Sequence, residues 1–151
     1  MIMLRLGLFA LLVPAAAQPL AVGKILIATP KSHDPDLARS VVLLIHSDKD
    51  GAIGLILNRP VADVYFGGPV ALGTRCLFRS AAKPEGAEHL FADVYLATKP
   101  VPKGRVYAGY VGWSAVQLKD EISLGLWKIR DPEPAIVFDA KPATLWSRLL
   151  R

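Results

Sequence analysis

Two glycine-punctuated stretches constrain the fold of this chain more than any other part of its sequence. Residues 64–70 read VYFGGPV and residues 109–118 read GYVGWSAVQL, so each sets a short aromatic and β-branched run against glycines. Such residues favour strands, whereas glycine lets the backbone turn where a side chain would clash. We expect strands that meet in tight turns, with a reversal and a close backbone approach at Gly67-Gly68-Pro69. No Lys-Ser or Lys-Thr pair follows these glycines, as a phosphate-binding loop would require.

Short apolar runs bounded by Pro, Asp and Gly predict most of the secondary structure. The predicted strands are residues 24–28, 40–46, 52–58, 64–66, 74–80, 89–97, 105–111 and 135–138. Residues 47–51 predict a hairpin turn between the second and third strands. The run 89–97 is long and free of Gly and Pro, so we expect it to cross the middle of a sheet.

Two helices are predicted in the second half of the chain. Ser114 is placed to cap the first helix, and Gln117 three residues later can return the bond. Its apolar face consists of three residues at four-residue spacing, Leu118, Ile122 and Leu126. Gly125 is expected to end the helix. The second helix begins near Pro142 and turns Leu145, Trp146 and Leu149 toward the core. Strands outnumber helices, which predicts an α+β fold.

Four blocks in order along the chain resemble the YqgE/AlgH family. The first holds ILIATP at 25–30, Asp34-Pro35, RSVV at 39–42, His46 and GAIGLILNRP at 51–60; the second is Gly67-Gly68-Pro69; the third runs from Gly109 to Glu121; the weaker fourth is Phe138-Asp139 with Pro142 and Trp146. The resemblance implies a mixed, largely antiparallel sheet curled into a pseudo-barrel with about two flanking helices. The family has no settled biochemical activity, and some members are linked to transcriptional regulation.

Two segments are shorter than the family pattern. Only Val61, Ala62 and Asp63 separate the Asn-Arg-Pro motif from the strand at 64–66, where family members carry a helical segment. Residues 99–104 replace a second, longer insert. The resemblance therefore does not carry over any ligand surface that those helices build.

The first seventeen residues have the pattern of a signal peptide. Arg5 precedes the apolar run 6–13, and Ala15-Ala16-Ala17 offers small residues for cleavage, which would make Gln18 the first mature residue. A membrane anchor is the rival interpretation, but the run is broken by Pro14 and is shorter than the roughly 20 residues that span a bilayer. We expect a signal peptide at 1–17, one domain at 18–151, and export to the periplasm or beyond. The alternative is the cytoplasmic location expected for the family.

Composition and charge limit the classes of function that this chain is expected to have. With 151 residues, 52% of them hydrophobic, the chain has enough apolar content for one globular core. Loss of Arg5 with residues 1–17 lowers the formal charge from +5 to +4, and the basic residues are interleaved with acids. That distribution does not predict a nucleic-acid surface. The expected partner is an unidentified protein or small molecule, with no membrane span remaining after cleavage.

The sequence does not predict a catalytic, cofactor or metal site. Cys76 is the only cysteine and is expected to be buried in a strand. The histidines lack the spacing of metal ligands; His33 beside Asp34 fits a turn, and His46 at a strand end is expected to hydrogen-bond a loop backbone. Ser114 lies between a strand and a helix, as in a nucleophile elbow, but Val116 replaces the second glycine of that motif. We therefore favour a helix cap.

These observations lead to a binding hypothesis. We expect a surface where glycine turns and aromatic side chains converge, with two polar residues: Arg39, Asn58, Tyr65, Gly67, Gly68, Gly112 and Trp113. The favoured function is a non-catalytic binding or regulatory domain. The alternatives are a small serine hydrolase that uses Ser114 and an exported structural remnant of a shortened family domain.

Overall fold

A computed structural model describes residues 19–151, so the predicted signal peptide lies outside the described residues. The described chain folds into ten strands and three short helices. The strands are β1 Ile25–Ala28, β2 Val41–Asp48, β3 Gly51–Ile56, β4 Pro60–Val61, β5 Val64–Phe66, β6 Val70–Arg79, β7 Glu88–Phe91, β8 Val94–Ala97, β9 Arg105–Ser114 and β10 Trp127–Arg130. The helices are α1 Ala115–Ser123, α2 Pro134–Val137 and α3 Leu145–Leu150, with a 3₁₀ turn at Pro142–Thr144 before α3.

The strands form one sheet that curls into a half-barrel. Its order is β10-β1-β2-β3-β9-β6-β8-β7, and every neighbouring pair along that path is antiparallel. Strand β5 pairs with β4 and runs parallel to β9, with Tyr65 opposite Tyr107. The long strand β9 joins the two halves, because its last four residues pair with β3 while its first part pairs with β6. The predicted α+β fold with a mixed, largely antiparallel sheet is confirmed.

Both faces of the sheet are buried, which explains why its central strands are apolar at nearly every position. Successive side chains of a strand point to opposite faces. One face packs against α1 through Leu26, Val42, Leu44, Ile56, Val111, Trp113, Leu118, Ile122 and Trp127. The other packs against α2 and α3 through Ile25, Ile27, Val41, Leu43, Leu55, Leu57, Leu77, Tyr107, Ile136, Val137 and Leu145. Cys76 is buried and free, as predicted.

The two predicted helices are confirmed, with small changes at their ends. The backbone N–H of Gln117 donates to Ser114 Oγ at 3.1 Å, which is the predicted N-cap bond. Gly125 adopts a φ of +76° just beyond α1 and turns the chain toward β10. Leu126 lies outside the helix and packs on the same core.

Two predictions about strands were wrong, and strand β10 was not predicted. Residues 89–97 form the hairpin β7–β8 at the edge of the sheet instead of one central strand, because Ala92, at a φ of +44°, turns the chain. Residues 135–138 are helical rather than extended, since Pro134 sits in the first helical turn of α2. Strand β10 was missed, because its alternating charges resemble a solvated segment although it pairs fully with β1.

Candidate binding site

The Asn58-Arg59 pair, just beyond β3, holds the loop that precedes β2. Asn58 Nδ2 donates to the carbonyl of Arg39 at 2.9 Å, and its Oδ1 accepts from the N–H of Val41 at 3.0 Å. The Arg59 guanidinium donates to the carbonyl of Ala38 at 2.8 Å and to that of Asp36. Both side chains thus form their hydrogen bonds with backbone groups of the loop, and these bonds fix the conformation of the loop.

The guanidinium of Arg39 takes no part in these loop hydrogen bonds. Its backbone has a φ of +60°, a conformation that a non-glycine residue adopts at a cost and that the Asn58 bond supports. Its side chain is exposed, with the guanidinium carbon 5.9 Å from the centre of the Trp146 ring. The Trp146 indole N–H donates to the Ala28 carbonyl at 2.7 Å, so the ring is fixed between α3 and β1. No hydrogen bond joins the Arg39 guanidinium to another residue of 19–151.

A cavity of about 460 Å³ opens at this point. It is lined by Ala38, Arg39, Asn58, Arg59, Ala143, Trp146 and Ser147. No acidic side chain lines it, so a ligand would meet a positive surface with an aromatic wall. Arg39 and Asn58, both predicted as binding residues, lie together here. Arg59 and Trp146 were not chosen as site residues, although both stand in blocks that carry the family resemblance.

Tyr65, Gly67 and Gly68 lie elsewhere, where β5 pairs with β9 and the chain that follows β5 lies against it. The Tyr65 ring packs 5.0 Å from the Tyr107 ring. The N–H of Gly67 donates to the Ala108 carbonyl at 2.7 Å. A Cβ on Gly68 would overlap the backbone of Tyr110. The predicted close backbone approach is confirmed, because the absence of side chains at Gly67 and Gly68 lets this segment lie against the backbone of β9.

Gly112 and Trp113 border a third region. A cavity of about 480 Å³ lies between their strand and the β2–β3 hairpin, and His46, Asp48 and Ser114 also line it. The Trp113 ring is buried and makes an edge contact with Trp127 at 5.8 Å. The seven predicted residues therefore do not meet on one surface, and their role in binding stays a prediction.

The acid–base groups beside Ser114 are engaged with one another. His46 Nε2 lies 2.8 Å from Asp48 Oδ2, so the expectation that His46 would bond a loop backbone was wrong. Asp48 Oδ1 accepts from the N–H of Asp50 at 2.8 Å. That backbone bond, followed by the His46 bond, lowers the pKa of Asp48 below its ordinary value. Ser114 Oγ accepts the cap bond from Gln117 and makes no hydrogen bond to His46.

The remaining sequence candidates have structural contacts. Asp34 Oδ1 accepts from the N–H of Asp36 at 2.9 Å, which is the turn chemistry expected beside the exposed His33. His89 Nε2 lies 2.7 Å from the carbonyl of Ala92 in the β7–β8 turn. Within residues 19–151, no group of three or more His, Cys, Asp or Glu side chains is arranged to hold a metal ion. None of the helices in that range is long and apolar enough to cross a membrane.

Two further cavities had no counterpart in the sequence patterns, because their walls come from distant segments. One, of about 560 Å³, lies between α1 and the β2–β3 hairpin and is lined in part by Leu20, Ala52, Leu118, Lys119 and Ile122. The other, of about 380 Å³, is lined by Phe78, Arg79, Pro102, Lys103, Arg105 and Phe138.

Comparisons with known proteins agree on a single family for this chain. The model of the family described as AlgH-like matches residues 25–151. A UPF0301 protein of Streptomyces avermitilis is 33% identical over 163 aligned residues, which cover 85% of this chain and 84% of that protein. The alignment is longer than this chain of 151 residues, so the relative has residues that this chain lacks.

Two solved structures share the fold. The crystal structure of a protein from Corynebacterium diphtheriae has a TM-score of 0.77 at 22% identity and covers 88% of this chain and 87% of its own. The solution structure of the AlgH protein from Pseudomonas aeruginosa has a TM-score of 0.68 at 26% identity, with coverage of 84% and 85%. The family match, the relatives and the shared fold agree: this chain belongs to the AlgH-like family.

Proposed function

We propose that this protein is a non-catalytic binding domain whose binding surface is the cavity around Arg39 and Trp146. The observation that carries the proposal is the convergence of separate sequence blocks at one open cation. Arg39 and Asn58 come from the first block and Trp146 comes from the fourth, near the other end of the chain, and all three line the same cavity. Asn58 holds the loop, and the exposed Arg39 guanidinium lies beside the Trp146 ring without a hydrogen bond to another residue of 19–151.

The chemistry of this cavity fits a partner that presents a carboxylate. A guanidinium offers a planar fork of donors that matches a carboxylate with two parallel hydrogen bonds. Side-chain entropy ordinarily opposes such a contact, but stacking on the fixed Trp146 ring already restricts Arg39. The partner is a protein or a small molecule with an acidic group.

The serine hydrolase is the weaker alternative. A nucleophilic serine needs a base within hydrogen-bond reach to take its proton. Ser114 instead accepts a bond from the N–H of Gln117, and the nearby His46 is bonded to Asp48. This alternative predicts that a fluorophosphonate probe labels Ser114 in the folded protein and that Ser114→Ala abolishes the label. We expect no labelling above that of Ser114→Ala.

We further propose that the protein acts outside the cytoplasm, on the basis of the signal-peptide pattern at 1–17. Export argues against a regulatory role on DNA, and the interleaved charges argue in the same direction. N-terminal sequencing of the protein recovered from the periplasm or medium should begin at Gln18. A protein that stays in the cytoplasm with an intact N-terminus would contradict export without affecting the binding proposal.

The binding proposal is tested by partner capture. The wild-type chain, Arg39→Gln and the control Lys49→Gln are expressed in the native host, crosslinked, and their captured proteins are quantified by mass spectrometry. Lys49 is exposed in the β2–β3 turn, so its substitution removes the same charge from a different place. We expect partners that Lys49→Gln retains and Arg39→Gln loses. Equal capture by the two variants would contradict a binding role for Arg39.

A further inference from the structure

A second cavity combines positive charge with apolar walls, and it lies at residues that the proposed function does not use. Three of its six lining residues are cations, Arg79, Lys103 and Arg105, and no acidic residue lines it. Two others are the aromatic residues Phe78 and Phe138. Its volume of about 380 Å³ falls within the range of about 300–1,000 Å³ that is common for small-molecule sites.

Arg105 is held in place before any ligand arrives. Its guanidinium donates to the carbonyls of Asp139 at 2.6 Å and Val137 at 3.3 Å. It also lies over two aromatic rings, 5.3 Å from the centre of Tyr65 and 5.9 Å from that of Phe138. A cation fixed in this way need not lose side-chain entropy when an anion binds beside it.

Tyr107, a buried neighbour of Arg105, strengthens the electrostatic field of the Arg105 guanidinium. The side chain of Tyr107 is fully buried, and its hydroxyl has no hydrogen bond of good geometry to any residue in 19–151. Burial raises the pKa of Tyr107 above its ordinary value, although the charge of Arg105 opposes the shift. The phenol is therefore neutral at physiological pH, and it does not cancel the charge of Arg105. Charges beside such a low-dielectric wall interact more strongly than charges surrounded by water.

The carboxylates nearest the cavity are already paired. Asp93 Oδ2 lies 2.9 Å from Arg79 Nε, and the Asp139 carboxylate is bonded to Arg148 at 2.6 and 3.0 Å. Lys103 is exposed and has no ion pair within residues 19–151. The cavity thus keeps an excess of positive charge, with Lys103 at its exposed side and Arg105 at its half-buried side.

We propose that this cavity binds a small organic anion, a phosphate or carboxylate joined to an apolar ring. Lys103 and Arg105 receive the anionic group, and Phe78 and Phe138 contact the ring. The site shares no lining residue with the Arg39 surface, and its ligand is a free small molecule.

Calorimetric titration of the purified protein tests this proposal with four probes: phenyl phosphate, inorganic phosphate, benzoate and benzyl alcohol. We expect phenyl phosphate to bind more tightly than inorganic phosphate, because the ring adds apolar contact, and benzyl alcohol to give no heat. Preference for phenyl phosphate over benzoate assigns the natural ligand to phosphate esters, and the reverse assigns it to carboxylates.

Matched variants locate the binding. Lys103→Gln keeps the side-chain length and should weaken phenyl phosphate binding by about tenfold, the value of one charge-assisted hydrogen bond. Lys49→Gln, which removes a charge remote from this cavity, should leave it unchanged. Equal affinity of Lys103→Gln and Lys49→Gln, or equal affinity for phenyl and inorganic phosphate, would overturn the proposal. Because Arg39→Gln is scored separately in partner capture, failure here and failure of the proposed function are distinguishable.

Discussion

Replacing Gly67 with alanine tests whether the glycines after β5 are needed for the close approach of the chain to β9. A Cβ built on Gly67 lies 2.3 Å from the carbonyl oxygen of Gly109, a distance that no relaxed structure tolerates. The obstacle is backbone, so no side-chain rotation relieves it. The two strands must separate by about 1 Å to restore ordinary contact, given carbon–oxygen separations near 3.4 Å.

The cost follows from the bonds that hold Gly67. Its N–H donates to Ala108 at 2.7 Å, and its carbonyl accepts from the N–H of Ile56 at 2.9 Å. Each bond contributes about 1 kcal/mol net, and overpacking costs about 1–3 kcal/mol. Alanine also lowers the entropy of the unfolded chain, but this effect stabilises the folded state by only about 0.4–1 kcal/mol. We therefore expect Gly67→Ala to lower the free energy of unfolding by about 2–4 kcal/mol.

Gly112→Ala is the matched control. The nearest atom to a Cβ at this position is Tyr110 Cε2 at 3.6 Å, an ordinary contact, so the free energy of unfolding should stay the same or rise by up to about 1 kcal/mol. Urea unfolding followed by tryptophan fluorescence measures both variants. With a slope of about 2 kcal/mol/M, the Gly67→Ala midpoint should fall by about 1–2 M. Equal midpoints for the two variants would refute the steric argument.

Substitutions at three further positions test the cap and the acidic groups. Ser114→Ala should lower the free energy of unfolding by about 1 kcal/mol, whereas Ser114→Asp, which still accepts the cap bond, should not; equal losses in thermal unfolding would contradict the cap. Burial raises the pKa of Glu121, so the folded state holds its proton more tightly than the unfolded state, and stability falls as the pH rises above about 4.3. Glu121→Gln should therefore be more stable than wild type near pH 7 and equal to it at about pH 3 in urea titrations. The Arg148 bond lowers the pKa of Asp139, so its stabilisation is complete above about pH 3.9 and is lost as the pH falls through the lowered value. Asp139→Asn should remove that acid-dependent loss, and an unchanged acid profile would contradict the role of the pair.

Local patterns predicted the parts of the fold that local physics determines. The strand pair at 40–46 and 52–58, the cap at Ser114 and the glycine end of α1 were predicted because apolar runs, turn residues and cap hydrogen bonds involve residues close in sequence. The curled sheet came from the family resemblance, since strand order depends on pairings between distant residues.

Tertiary context decided the parts that were wrong. Residues 89–97 contain no Gly or Pro, yet the chain reverses at Ala92, and the carboxylate of the adjacent Asp93 pairs with Arg79 of β6. Strand β10 alternates apolar with basic residues, and its four residues pair with those of β1. Neither effect is visible in a window of neighbouring residues.

The candidate site shows the same division. Arg39 and Asn58 were predicted as polar contacts and do share a cavity, but Trp146 joins them only because α3 packs on β1. The cavity at Arg105 combines side chains from positions 78 to 138, and no spacing in the sequence brings them together.

The central claim is that the motif residues shape the backbone and present Arg39 as the binding cation. A nuclear magnetic resonance titration with N-acetyl-L-glutamate, a probe with two carboxylates, tests it most directly. We expect chemical-shift changes at the Arg39 guanidinium and the Trp146 indole, with the signals of His46 and Ser114 unchanged. Shifts centred on His46 and Ser114, with none at Arg39, would contradict it.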